Sequence, residues 1–123
     1  MRWLVDASNV IGSRPDGWWR DREGAARRLI AELESFAARS GEPVTVVLDA
    51  GPPELAGVSG DLEVLIARRR GRDAADDEIV RLLEASAAPA DVRVATSDSV
   101  LAARARALGA EVEGARTFRE RLR

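Results

Sequence analysis

Arg2-Trp3-Leu4-Val5-Asp6-Ala7-Ser8-Asn9-Val10-Ile11-Gly12 begins with a short apolar run, Trp3-Leu4-Val5, that stops abruptly at Asp6, with Asn9 three residues on. A buried strand that delivers a carboxylate at its carboxyl end is the usual way an open α/β sheet builds a site. Asp, Ser and Asn are also good turn formers, because their side chains hydrogen-bond the local backbone. The stretch alone supports both readings equally. Two later segments, Asp73 to Asp77 and Asp98, repeat the pattern of acids at element ends and favour a site.

Working outward, 123 residues set the expectation of one domain, 1–123, with no linker and no repeats. A chain of this length buries about two-thirds of its surface on folding. With 46% hydrophobic and 33% charged residues, the composition is that of a soluble globular protein. No run of about 18 apolar residues is present, so no membrane contact is expected. No signal peptide is visible before the first strand, and a cytoplasmic location is the default.

The missing residue types are more informative. The chain has no His, Cys, Tyr or Lys, and all 19 basic residues are Arg. Arginine stays charged and cannot serve as a base. A Ser-His-Asp triad, a Cys-His pair, a His-pair ribonuclease, a Schiff base and a His-ligated zinc are therefore excluded within one chain. Any catalysis falls to carboxylates, hydroxyls or a bound metal, and carboxylates suit Mg²⁺ or Mn²⁺. The net charge of −2 and the pI near 5.3 do not mark a general nucleic-acid binder, but the arginines are clustered.

After Gly12 a loop with Pro15, Gly17 and the pair Trp18-Trp19 is expected. Ala26, Leu29, Ile30, Leu33 and Ala37 then define one face of a helix from about Asp21 to Ala38, punctuated by Gly41 and Pro43. Val44 to Leu48 reads as a strand ending at Asp49, and residues 51–60 as a long loop. A third strand, Leu62 to Ala67, leads into Arg68, Arg69, Arg70 and Arg72. A second helix opens at Asp73 and ends before Pro89. A fourth strand covers Val92 to Ala95 and a third helix runs from about Ser99 to Leu108. A short edge strand at Glu111 to Glu113 and a helical turn at Thr117 to Leu122 complete the chain. The order predicts an α/β fold with a mostly parallel sheet.

Asp76, Ile79, Val80 and Leu83 are spaced i, i+3, i+4, i+7, which puts Asp76 on the stripe facing the sheet. Asp73 is assigned to capping the helix and Asp76 to function, while Asp77 fits either role. Asp98 caps the third helix or joins the site; with Leu101, Ala105 and Leu108 it also lies on a buried stripe. Asp6, Asp76 and Asp98 would then form an acidic cluster at the carboxyl edge of the sheet. Like charges within a few ångströms do not all stay ionised without a cation, and a divalent metal resolves the conflict.

Leu4-Val5-Asp6-Ala7-Ser8-Asn9-Val10-Ile11-Gly12, Val46-Val47-Leu48-Asp49, Ala75-Asp76-Asp77-Glu78-Ile79 and Thr96-Ser97-Asp98 together resemble the NYN domains, a bacterial branch of the PIN-like nucleases, and within them the YacP-like group. The motifs come in the family's order, Gly109-Ala110 follows as expected, and the match covers nearly the whole chain. One departure is Ala7, where many relatives carry Gly, which should alter turn flexibility and not chemistry. The resemblance implies a PIN-like three-layer sandwich with a central five-stranded sheet ordered 3-2-1-4-5. It implies a Mg²⁺- or Mn²⁺-dependent ribonuclease acting on single-stranded RNA. In that reading Asp6, Asp98 and Asp76 or Asp77 bind metal and Asn9 orients the site. Substrate contacts are expected from one or two of Arg68, Arg69, Arg70 and Arg72, whose forks suit phosphate oxygens, with Arg68, Arg70 and Arg72 put first, and from Ser97. Trp18 and Trp19 offer rings for stacking on bases of a single strand; one of such a pair is more often a core residue, so stacking is expected from at most one, taken as Trp18. Two rival readings are a non-catalytic RNA- or protein-binding module of the same fold and a PIN-type toxin. The sequence leaves open whether the chain forms a homodimer.

Overall fold

Strand β1 (Arg2–Asp6) lies at the middle of a six-stranded sheet, and Trp3, Leu4, Val5 and Asp6 are all buried. The computed structural model describes residues 1–69, 71 and 73–123. After β1 come α1 (Ala7–Gly12), α2 (Arg22–Ser40), β2 (Val44–Leu48), β3 (Gly57–Ser59) and β4 (Leu62–Ile66). The chain continues with α3 (Ala74–Glu84), β5 (Val92–Ala95), α4 (Ser99–Ala107), β6 (Glu111–Glu113) and α5 (Ala115–Arg121). The sheet order is β3-β4-β2-β1-β5-β6. All neighbours pair in parallel except β3 with β4. Central strands of a parallel sheet are covered on both faces, so they are apolar throughout and do not alternate with polar residues. β2, Val-Thr-Val-Val-Leu, is buried at every position.

Successive side chains of a strand point to opposite faces. Trp3 and Val5 of β1, with Val44, Val46 and Leu48 of β2, pack against Leu29, Leu33 and Phe36 of α2 and Phe118 of α5. Leu4, Val47, Val92 and Val94 point the other way, onto Ile79 and Leu83 of α3 and Leu101 of α4. The two helical layers enclose the sheet. Counting two residues on from Leu4, Val47 and Val94 places Asp6, Asp49 and Thr96 on the α3–α4 side at the carboxyl edge. One parity rule thus carries three polar groups, from three adjacent strands, toward the same pair of helices.

The helices follow local chemistry. Asp21 caps α2 by accepting from Gly24 N–H at 2.9 Å. The helix stops at Gly41, whose φ of 71° is the left-handed conformation that a side chain disfavours. α5 is anchored by Phe118, fully buried with its ring centroid 4.8 Å from that of Trp3. Phe118→Ala is expected to cost about 3–5 kcal/mol, read as a lower urea midpoint at unchanged slope.

The parallel strands keep the expected order, since β4-β2-β1-β5-β6 corresponds to 3-2-1-4-5. Two elements differ from expectation. The segment expected to be a loop contains β3, which adds a sixth, antiparallel edge strand paired Gly57↔Val64 and Ser59↔Leu62. All three residues of β3 are exposed, so no apolar alternation announces it; the hairpin turns at Gly60, with φ 58°. The second is α1, where turn residues Ser8 and Asn9 sit within one and a half turns of helix that Ala7 and Val10 bury against the sheet.

Candidate active site

Asp6 is 1% exposed, at the β1 terminus and at the N-cap position of α1, but its carboxylate does not cap that helix. Its Oδ2 accepts instead from Asn9 Nδ2 at 2.7 Å and from Thr96 Oγ1 at 2.9 Å. Burial pushes the Asp6 carboxyl above the usual carboxylate range; the Thr96 and Asn9 donors oppose this, and the Asp49 charge adds to it. Asn9 also joins the next strand: its Oδ1 accepts from Ser97 N at 3.3 Å. The short helix α1 is what brings Asn9 back over the acid that precedes it, one turn away.

Asp98 follows β5 and caps α4, its Oδ1 accepting from Val100 N at 2.9 Å and Leu101 N at 3.0 Å. Its own N–H donates to Thr96 Oγ1 at 3.1 Å, so Thr96 ties Asp98 to Asp6. The cap uses only one oxygen, and Asp98 therefore serves the helix and the cluster together. Asp76, in the first turn of α3, is pushed up to about 7. Partial burial is the largest cause, followed by the charges of Asp6, Asp98 and Asp73, and by hydrogen bonding with Asp98. Asp73 stands at the N-cap position of α3 but makes no capping bond through its side chain. This corrects the expectation that it caps the helix; its charge faces Asp76 instead.

Asp49 is a further acid of the same edge. Ser8 Oγ donates to its Oδ2, and Ala75 N of α3 donates to Oδ1 at 3.3 Å. The sequence signal for it is the strand-then-Asp pattern of β2, which repeats that of β1. Among the described residues no three carboxylates converge closely enough to hold a metal ion. Asp6 is turned to Asn9 and Thr96, and Asp98 to its helix. In chemistry the donor set is all oxygen, which fits a hard divalent cation.

With this geometry in hand, the chain matches the sequence model of the YacP-like NYN domain over residues 3–123. It belongs to the YacP-like NYN domain family. The crystal structure of Rae1 (YacP) from Bacillus subtilis is similar, with a TM-score of 0.79 at 28% identity, covering 98% of this chain and 73% of the other. A mutant of that protein superposes with a TM-score of 0.77, again at 28% identity, over 98% of this chain and 75% of the other. No curated protein sequence matches.

This NYN domain gathers Asp6, Asn9, Asp76 and Asp98 at one sheet edge. Asp77 is not part of that group: it is exposed and pairs with Arg104 of α4 at 3.3 Å. Adjacent helix positions diverge by about 100°, so α3 cannot aim both acids inward. The Ser97 hydroxyl accepts from Ala115 N at 2.8 Å and thereby docks α5 beside the site. Arg68 is exposed just beyond β4, while Arg70 and Arg72 lie outside the described residues. Trp18 is half-buried and lines a groove of about 580 Å³ with Ser8, Ile11, Arg22, Asp49 and Leu55. No helix is long and apolar enough to cross a membrane.

Proposed function

We propose that this NYN domain is a Mg²⁺- or Mn²⁺-dependent ribonuclease that hydrolyses phosphodiester bonds of single-stranded RNA. The observation that carries the reading is the placement of Asp6, Asp76 and Asp98 at one carboxyl edge of the sheet, near enough that Asp6 and Asp98 both act on the Asp76 carboxyl. Family membership and the likeness to Rae1 (YacP) support it. Asp6, Asp76 and Asp98 would hold the cation. When bound, such an ion lowers the pKa of water and neutralises charge building on the phosphate.

The chain's own residues supply position and charge. Asn9 and Thr96 clamp one oxygen of Asp6, so its rotamer is set before any ligand arrives. Asp98 is fixed by its helix cap. Asp76 is the acid that keeps a proton near neutrality and releases it when positive charge enters. No imidazole, phenol or amine is present to share the proton work, which leaves carboxylates as the acid–base groups.

A labelled RNA incubated with Mg²⁺ or Mn²⁺, with and without chelator, tests this; uncut RNA at micromolar protein overturns it. A second reading, a non-catalytic RNA-binding module, is favoured by one observation, the lack of a converged ligand triad among the described residues. The same assay decides it, since a module retards RNA in a gel and cuts nothing. Either way the arginines after β4 are expected to meet phosphate. Arg68→Ala should reduce the slope of log affinity against log salt by about one unit, measured by anisotropy. An unchanged slope makes Arg68 a solvated surface residue.

A further inference from the structure

The groove beside the acids points to a second ligand site. Its walls come from α1, the turn at Trp18–Arg20, the start of α2 and the chain after β2. Ser8 and Asp49 belong both to its lining and to the acid cluster, where Asp49 acts on Asp6, so the two are continuous. At about 580 Å³ it lies within the range of small-ligand pockets, and like them it is mostly apolar with a few polar groups. We propose that it receives one unpaired base of the RNA strand next to the bond that is cut, and that it prefers a base carrying an amino group. This rests on the ribonuclease reading for the strand, but not for the binding itself.

Three features select a base over other parts of RNA. The Arg22 guanidinium lies 5.4 Å from the Trp18 ring centroid, so an indole and a planar cation sit together on one wall. Both are stacking partners for unpaired bases. Leu55 and Ile11 supply apolar surface, which suits a base face and rejects phosphate. The charged lining is Arg22, Glu23 and Asp49; Glu23 already accepts from Arg27 and Asp49 from Ser8 and Ala75 N, and neither has used all its lone pairs. Those carboxylates accept hydrogen bonds and offer none. The amino groups of adenine, guanine and cytosine can donate to them, whereas the two carbonyls of uracil flank its single donor.

The test uses binding in EDTA, so that it is independent of cleavage. Fluorescein-labelled (rC)₆, (rA)₆, (rU)₆ and an abasic hexaribose phosphate are titrated with the whole chain and read by anisotropy. Wild type should bind the cytosine and adenine hexamers about tenfold tighter than the abasic chain, with the uracil hexamer between. Trp18→Ala should bring all four together, and Trp18→Phe should keep most of the difference. If Trp18→Ala melts early, Arg22→Ala serves in its place and should shrink the same gap. Equal binding of all four RNAs by wild type, no binding at all, or a gap that survives both Trp18→Ala and Arg22→Ala overturns the subsite. A gap that collapses in Trp19→Ala but not in Trp18→Ala overturns it too, by moving the stacking to the exposed neighbour. Cleavage with metal is scored separately. A base-dependent gap without cutting leaves the subsite standing and removes the ribonuclease reading, and cutting without a gap does the reverse.

Discussion

Asp6→Asn is expected to abolish Mn²⁺- or Mg²⁺-dependent RNA cleavage while leaving the chain folded. Asp6 is the most enclosed of the acids, at 1% exposure, and the one clamped by two side-chain donors. An asparagine carbonyl can still accept from Asn9 and Thr96, so the packing survives; what disappears is the charge that would hold the cation. Losing an outer partner of a metal ligand typically costs 10–100-fold in activity, so losing the ligand itself should exceed about a hundredfold. The metal-free variant should melt no lower than wild type, because burial and the Asp49 charge both penalise the Asp6 carboxylate. RNA should still be retarded in a gel. Undiminished cutting by the variant would remove Asp6 from the reaction.

Metal-linked stability has the second largest expected effect. A ligand that binds only the folded state adds roughly 2.7 kcal/mol at a hundredfold excess over its dissociation constant. For a domain of this size that is a rise of about 10 °C in melting temperature on adding Mg²⁺ or Mn²⁺. Asp98→Asn should erase most of it. The pH dependence follows from Asp76, raised in the folded state from 3.8 to about 7. The folded state then binds more protons than the unfolded one between those values. The stabilising contribution is therefore full below about pH 4 and is lost as pH rises through about 7. In EDTA, wild type should lose stability over that window more steeply than Asp76→Asn, and the divalent ion should restore it at neutral pH. Solvent access to Asp76 moderates the size of the effect, not its sign. Identical melts with and without millimolar metal, or parallel pH profiles for wild type and Asp76→Asn, would count against a cation at these acids.

Local sequence determined a good deal of this molecule. β2 and β5 fall on the expected residues, because a short, β-branched-rich run such as Val44 to Leu48, flanked by Pro43 and Gly51, suits a strand. Asp76 was legible from helical spacing with Ile79, Val80 and Leu83. The missing histidine, cysteine, tyrosine and lysine narrowed any catalysis to carboxylates, hydroxyls or a bound metal before any fold was known. The order of the parallel strands came with the family resemblance, since periodicity says nothing about which strands are neighbours.

Tertiary structure decided the rest. β3 exists only because Gly57 to Ser59 meets β4, and α1 only because Ala7 and Val10 find the sheet. Asp77 differs from Asp76 through a partner, Arg104, that lies 27 residues away. Asp73 occupies a capping position without capping, and Asp98 caps and still faces Asp76. Thr96 and Asp49 join the site because strand parity and parallel register bring residues 90 and 43 positions from Asp6 to its side. Propensity and pattern are properties of neighbours along the chain. Which acid shares a cluster, and which one finds an arginine first, is set by contacts between segments that only the folded sheet brings together.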